Sequence, residues 1–288
     1  MASMVATQAA STEAQSKAAD RRLAGLLAQS WKLLALPLLL FLALPLVALW
    51  LRVTPSELWD TLHQPQVILA IRLSLVTSLA TALVTLAFGT PVAYMLSQNH
   101  SAFNRFADTL IDLPTVLPPA VAGVALLMAF GRRGLFGPWL SAAGIELPFT
   151  LAAVIMAQTF VSASFYVKAA TIGFSGIDDE LKQAAALDGA APSQIFRHIV
   201  LPLASTAMLS GLVMTWARAL GEFGATIIFA GNFPGRTQTM PLAIYLGFEI
   251  DLKVALTISI ILMGLSFLSL LIVKGVLLRR LEPVHETR

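Results

Sequence analysis

The chain has 288 residues, of which 57% are hydrophobic types and only 12% are charged. Soluble domains carry roughly 25% charged residues, so a soluble fold of this size cannot cover its surface with so few, and a disordered chain cannot be this apolar. A net charge of +3 with no basic stripe does not point to nucleic acid, and the lack of cysteine excludes disulfides, thiolate metal sites and Cys nucleophiles.

Most of the chain therefore sits in lipid. Residues 1–30, rich in Ala, Ser, Thr and Gln, read as a mobile cytoplasmic arm. Arg21-Arg22 ahead of an apolar run resembles a signal peptide, but the run is longer than such a segment's core and no small-residue cleavage site follows. A bilayer core about 30 Å thick needs roughly 20 apolar residues, and the chain offers six such stretches: 33–53, 67–96, 107–130, 147–170, 199–230 and 254–278. The membrane-embedded body thus runs from 31 to 280, leaving 281–288 as a tail. The third stretch holds Asp112, Pro114, Pro118 and Pro119 and is expected to kink or start late. The fifth exceeds one straight crossing and is expected to break near Gly221 and Gly224.

Six crossings place both termini on one side. Twelve Lys and Arg then fall on that side and six on the other, namely Arg52, Arg72, Arg132, Arg133, Arg236 and Lys253, with Arg218 inside a span. The positive-inside rule makes the richer side cytoplasmic, and with it the loop 171–198.

That loop begins with Ser175 three residues ahead of Asp178, the spacing of a capping box, and Asp178, Asp179 and Glu180 suit a helix start. Ile177, Leu181, Ala184 and Ala185 fall on one helical face. Gly189 is a natural stop and Pro192 suits the first turn of a second helix. The expected object is a pair of short helices joined by a tight turn. Two readings stand: a docking knob that small alanines let a partner approach closely, or a solvated connection between spans.

Gln183-Ala184-Ala185, then Gly189, then Ile199 and Leu201-Pro202 resemble the EAA motif of ABC-transporter permeases. The resemblance implies an all-α integral membrane subunit of the type I importer kind, whose knob enters a groove on a cytoplasmic ATPase. It also implies a homodimer, because one copy supplies one knob and such an importer uses two, along with two ATPase subunits and an extracytoplasmic binding protein. Gln183 departs from the family, which usually has Glu there. This keeps length and polarity but removes the charge. The stretches 113–137 and 216–245, above all GEFGATIIFAGN followed by PGRTQTMPLAIY, resemble permeases for tetrahedral oxyanions and are most like the molybdate permease. Sulfate, thiosulfate and tungstate are the alternatives, since divalent tetrahedral anions differ too little for the spans' scattered Ser and Thr to discriminate.

Thr77, Ser78, Thr81, Thr90, Ser205 and Thr206 read as glue between helices. Arg218 and Glu222 lie four apart on one face; they are either a mutually neutralised pair that fixes the bend before Gly224 or a gate on an anion path. Arg132, Arg133 and Arg236 are either solvated loop residues or guides for an anion or an acidic partner. No phosphate-binding GxxxxGK[ST] loop occurs, so ATP hydrolysis falls to a partner. The four histidines show no metal spacing, and no cofactor is expected. An ion-gradient transporter would show inverted repeats and several intramembrane carboxylates, whereas Glu222 is nearly alone at depth.

Overall fold

The structure is a computed structural model that describes residues 34–98 and 101–281, with side chains to Gly275. The expected arm 1–30, the tail beyond Leu281, and His100 lie outside the described residues. Among the described residues all regular structure is helical, and five helices are long and apolar enough to cross a membrane, or six if one bent pair counts as a span. The chain divides after Thr54 into two units. The first holds α1 (Leu34–Leu51), whose 18 residues reach about 27 Å at the helical rise. Leu38, Phe41, Leu44 and Leu51 are exposed on it, as a helix facing lipid requires.

The second unit opens with α2 (Pro55–Leu62), then α3 (Pro65–Gln98), α4 (Ala102–Val116) and α5 (Pro119–Phe130). The long α3 matches the second expected span. The third is not straight: α4 and α5 meet at 118°. Pro118 and Pro119 explain the corner. Neither can donate an amide to the preceding turn, and each clashes with a helical continuation. After the short α6 (Gly137–Ala142) comes α7 (Leu151–Ser175), started by Thr150, whose hydroxyl accepts the Ala153 N–H at 3.3 Å. Then follow α8 (Asp179–Leu187), α9 (Pro192–Ile195), a π turn (Phe196–Val200), α10 (Leu201–Leu220), α11 (Gly224–Phe229), α12 (Met240–Ile250) and α13 (Leu252–Leu281).

Packing centres on α7, which lies between α3 and α10. In lipid there is no hydrophobic drive between spans, so close approach and hydrogen bonds must hold them. Both are present. A Cβ added at Gly211 of α10 would stand 2.6 Å from the Ala169 Cβ and 3.2 Å from the Tyr166 Cα, so these two backbones touch where only glycine fits. Thr81 of α3 donates to the Gln158 amide oxygen at 3.1 Å, Thr90 pairs with the Tyr166 hydroxyl at 2.6 Å, and Thr215 donates to the Ser162 carbonyl at 3.2 Å. The expected gluing role thus holds for Thr81 and Thr90, whereas Ser205 is exposed and bonds only back to the Pro202 carbonyl. Gln158, buried at mid-helix, is the partner the sequence did not single out.

Candidate functional site

The helix pair forms as the spacing requires, with one correction at its start. Ser175 is the last residue of α7, and Asp178 is the cap: its carboxylate accepts the Glu180 N–H at 3.0 Å. Ile177 consequently lies ahead of α8 rather than on its face, and it is buried in the core beside Phe174 and Val200. Lys182 folds back onto Asp179 at 2.8 Å.

α8 ends in a Schellman turn. Gly189 takes φ +87°, the Ala190 N–H reaches the Ala185 carbonyl at 3.0 Å, and the Gly189 N–H reaches that of Ala186 at 3.1 Å. No atom lies within 4 Å of a Cβ placed on Gly189, so its surroundings are open and only the backbone demands glycine. Pro192 opens α9, and the Gln194 side chain accepts the Ala191 N–H at 2.8 Å. The second helix does not stop. It passes through the π turn directly into α10, so the fifth span begins at Pro192 rather than at 199.

α8 and α9 bury no residue. Gln183, Ala184 and Gly189 are exposed, Ala185 is half-buried, and Leu187 is 89% exposed. Downstream, Ile199 and Leu201 are half-buried and Pro202 is exposed, flanking the fully buried Val200. The seven residues therefore divide by position: Gln183, Ala184, Ala185 and Gly189 shape a projecting surface, while Ile199, Leu201 and Pro202 shape the joint to α10.

The second candidate group sits where α10 ends. Gly221 caps α10 at an ordinary φ of −88°, residues 221–223 form the expected break, and Gly224 starts α11. Gly224 lies against α5: a Cβ there would stand 2.8 Å from that of Pro119. Glu222 has 1% of its side chain exposed. One oxygen meets the Arg218 guanidinium at 2.8 Å and the other accepts the Ala225 N–H at 2.9 Å. Arg218 keeps 30% exposure. One carboxylate thus neutralises an intramembrane cation and ties α10 to the start of α11.

The remaining cations separate into paired and unpaired sets. Arg132 meets Glu146 at 2.8 Å and Lys253 meets Glu57 at 3.0 Å, while Arg72, Arg133 and Arg236 are exposed with no ion pair among the described residues. Lys168 of α7 bridges two acids of α4, Asp108 at 2.6 Å and Asp112 at 2.8 Å. From the sequence, Lys168 is one of the twelve basic residues on the cytoplasmic side. Its signal was present, because two acids four apart on an apolar helix share a face and require a cation.

Residues 86–283 match the family model of the binding-protein-dependent transport system inner membrane component. The chain is 40% identical over 220 residues to the probable transport system permease protein NifC of Clostridium pasteurianum, covering 76% of this chain and 77% of that one. It is likewise 40% identical over 233 residues to the molybdenum transport system permease protein ModB of Mycobacterium tuberculosis, covering 81% and 88%. Among solved structures, a bacterial ABC transporter involved in import of the acidic polysaccharide alginate superposes with a TM-score of 0.63 at 18% identity, over 91% of this chain and 100% of that one. At that identity the likeness shows the fold alone.

Proposed function

The chain belongs to the family of binding-protein-dependent transport system inner membrane components, and from that membership we propose that it moves a tetrahedral oxyanion, molybdate foremost, through a homodimeric ATP-driven importer. The observation that carries this reading is the knob of α8 and α9, two short helices that bury no residue of their own and present Leu187 and the small residues around Gly189 to a partner. Leu187, 89% exposed, gives the projecting helix an apolar contact point for a partner. The partner is a cytoplasmic ATPase subunit, one under each copy, and a binding protein delivers the anion from the other side. Both termini are then cytoplasmic in the inner membrane. Closure of the ATPases draws the two knobs together and turns the path from inward-facing to outward-facing.

Molybdate is favoured by the 40% identity to a molybdenum permease together with the 216–245 stretch. Sulfate, thiosulfate and tungstate remain the alternative cargoes. Arg72, Arg133 and Arg236, exposed and without an ion pair among the described residues, suit a divalent anion of any of these kinds. Arg218, already neutralised by Glu222, offers a path anion a cation that does not hold it too tightly, with Gly221 and Gly224 allowing the turn between them.

The docking test exploits the open space at Gly189. Gly189→Asn tolerates the left-handed backbone, so the chain is expected to co-purify with its ATPase. Gly189→Trp fills the contact and is expected to abolish co-purification; normal assembly and transport by it refutes the docking role. For cargo, the cognate binding protein is titrated with molybdate, tungstate and sulfate, and preferential sulfate binding refutes the molybdate assignment alone.

A further inference from the structure

The proposed dock explains what the knob touches below but not how its movement enters the spans, since α8 and α9 bury nothing. Among the described residues the knob is rooted in one apolar cluster at two places. Ile177, ahead of α8, is buried, and Ile195 at the end of α9 and Phe196 just after it pack on the same apolar cluster. Of these, Phe196 reaches furthest. Its ring lies edge-on to Tyr94 of α3, with centroids 4.9 Å apart, and 6.2 Å from Phe174 at the end of α7. Tyr94 and Phe174 also meet edge-on at 5.5 Å. Three rings from three chain segments thus form one closed contact, and Phe196 is itself continuous with α10.

Phe196 is also the first residue of the π turn, and its carbonyl accepts the Leu201 N–H five residues on. The sequence gives a physical cause. Pro202 has no N–H to offer the His198 carbonyl, so the regular ladder cannot close there and the turn widens by one residue. A wide turn is a joint: passing its extra residue along the ladder turns one flank about 100° against the other and moves it about 1.5 Å.

Resting on the reading of the knob as the ATPase dock, we propose that Phe196 is the positioning residue through which the knob moves α3, α7 and α10 together, with the π turn Phe196–Val200 as its joint. The knob is already continuous with α7 and α10 through the chain, and the Tyr94 ring carries its displacement into α3 as well. A knob joined to α7 and α10 alone would move those two helices and leave α3 behind.

The test uses the full importer, with its ATPase and binding protein, in proteoliposomes and follows anion imported per ATP hydrolysed. Phe196→Ala is expected to retain ATPase co-purification and to keep ATP hydrolysis within about twofold, while anion moved per ATP falls about tenfold, within the usual span of coupling energies. Phe196→Tyr keeps the ring and is expected to restore the ratio. If Phe196→Ala does not assemble, Tyr94→Leu carries the same expectation, because it removes the edge-on ring from α3 and leaves the knob untouched. An unchanged ratio in an assembled Phe196→Ala or Tyr94→Leu complex overturns the inference and leaves the docking reading standing. Failure of the unaltered chain to bind its ATPase overturns both.

Discussion

Replacing Glu222 by glutamine separates the two roles open to the Arg218–Glu222 pair. The amide oxygen of glutamine still accepts the Ala225 N–H, which Glu222 holds at 2.9 Å, but an NH2 now faces the guanidinium that met a carboxylate at 2.8 Å. Breaking a buried ion pair from one side costs about 3–5 kcal/mol. Arg218 retains 30% exposure and can recover part of its hydration, so about 2 kcal/mol is expected for Glu222→Gln. Arg218→Met is harsher. It leaves a carboxylate that is 1% exposed with a single backbone donor, and about 3–4 kcal/mol is expected. The double variant Arg218→Met/Glu222→Leu removes both charges and strands only the Ala225 N–H, for about 1–2 kcal/mol. Thermal unfolding in one fixed detergent reads the cycle, at about 2–4 °C per kcal/mol for a chain of this size. The double variant should melt above Arg218→Met despite carrying one more substitution. If both single variants melt within about 1 °C of the unaltered chain, or the double is the sum of the two, the clamp does not exist. Transport by the double variant then divides the roles. Recovery with stability marks a structural clamp, and absence at normal stability marks a group on the anion path.

Three further outcomes follow from the packing. Asp108→Asn or Asp112→Asn alone leaves Lys168 one carboxylate, so each is expected to be nearly neutral, whereas the double change costs about 1 kcal/mol because all three groups are partly exposed; thermal unfolding checks the non-additivity. Even Gly211→Ala is expected to destabilise by about 2 kcal/mol or more, because its Cβ meets Ala169 at 2.6 Å between two backbones; loss of monodisperse protein on size exclusion is the readout, and a stable Gly211→Leu would refute the close approach. Arg236→Ala removes an exposed cation from a turn held by the Thr237 hydroxyl, and it is expected to slow import at low salt with the difference fading as salt rises.

Some of the candidate site was legible because its signals are local. Gly189 and Pro192 each act on their own backbone, so the stop of α8 and the start of α9 followed from residue type. The break at 221–223 was legible for the same reason. The start of α8 was not. Ser175 and Asp178 can both cap a helix, and the choice fell to Asp178 because α7 continues until Phe174 and Ile177 are buried, which is a matter of packing. The short α2 and α12 carried no span-length apolar run to announce them. The π turn left only Pro202 as its trace, and a proline at that place reads equally well as the first turn of a span.

Hydropathy, capping and chain-breaking residues were enough to set membrane residence, the six apolar stretches and the projecting helix pair, because each is a free energy summed over neighbours along the chain. Only the tertiary structure decided that Lys168 answers Asp108 and Asp112, that Lys253 answers Glu57, and that Phe196 meets Tyr94 and Phe174. Those choices depend on distances across space between residues far apart in sequence, and the helices must first pack before any such distance exists.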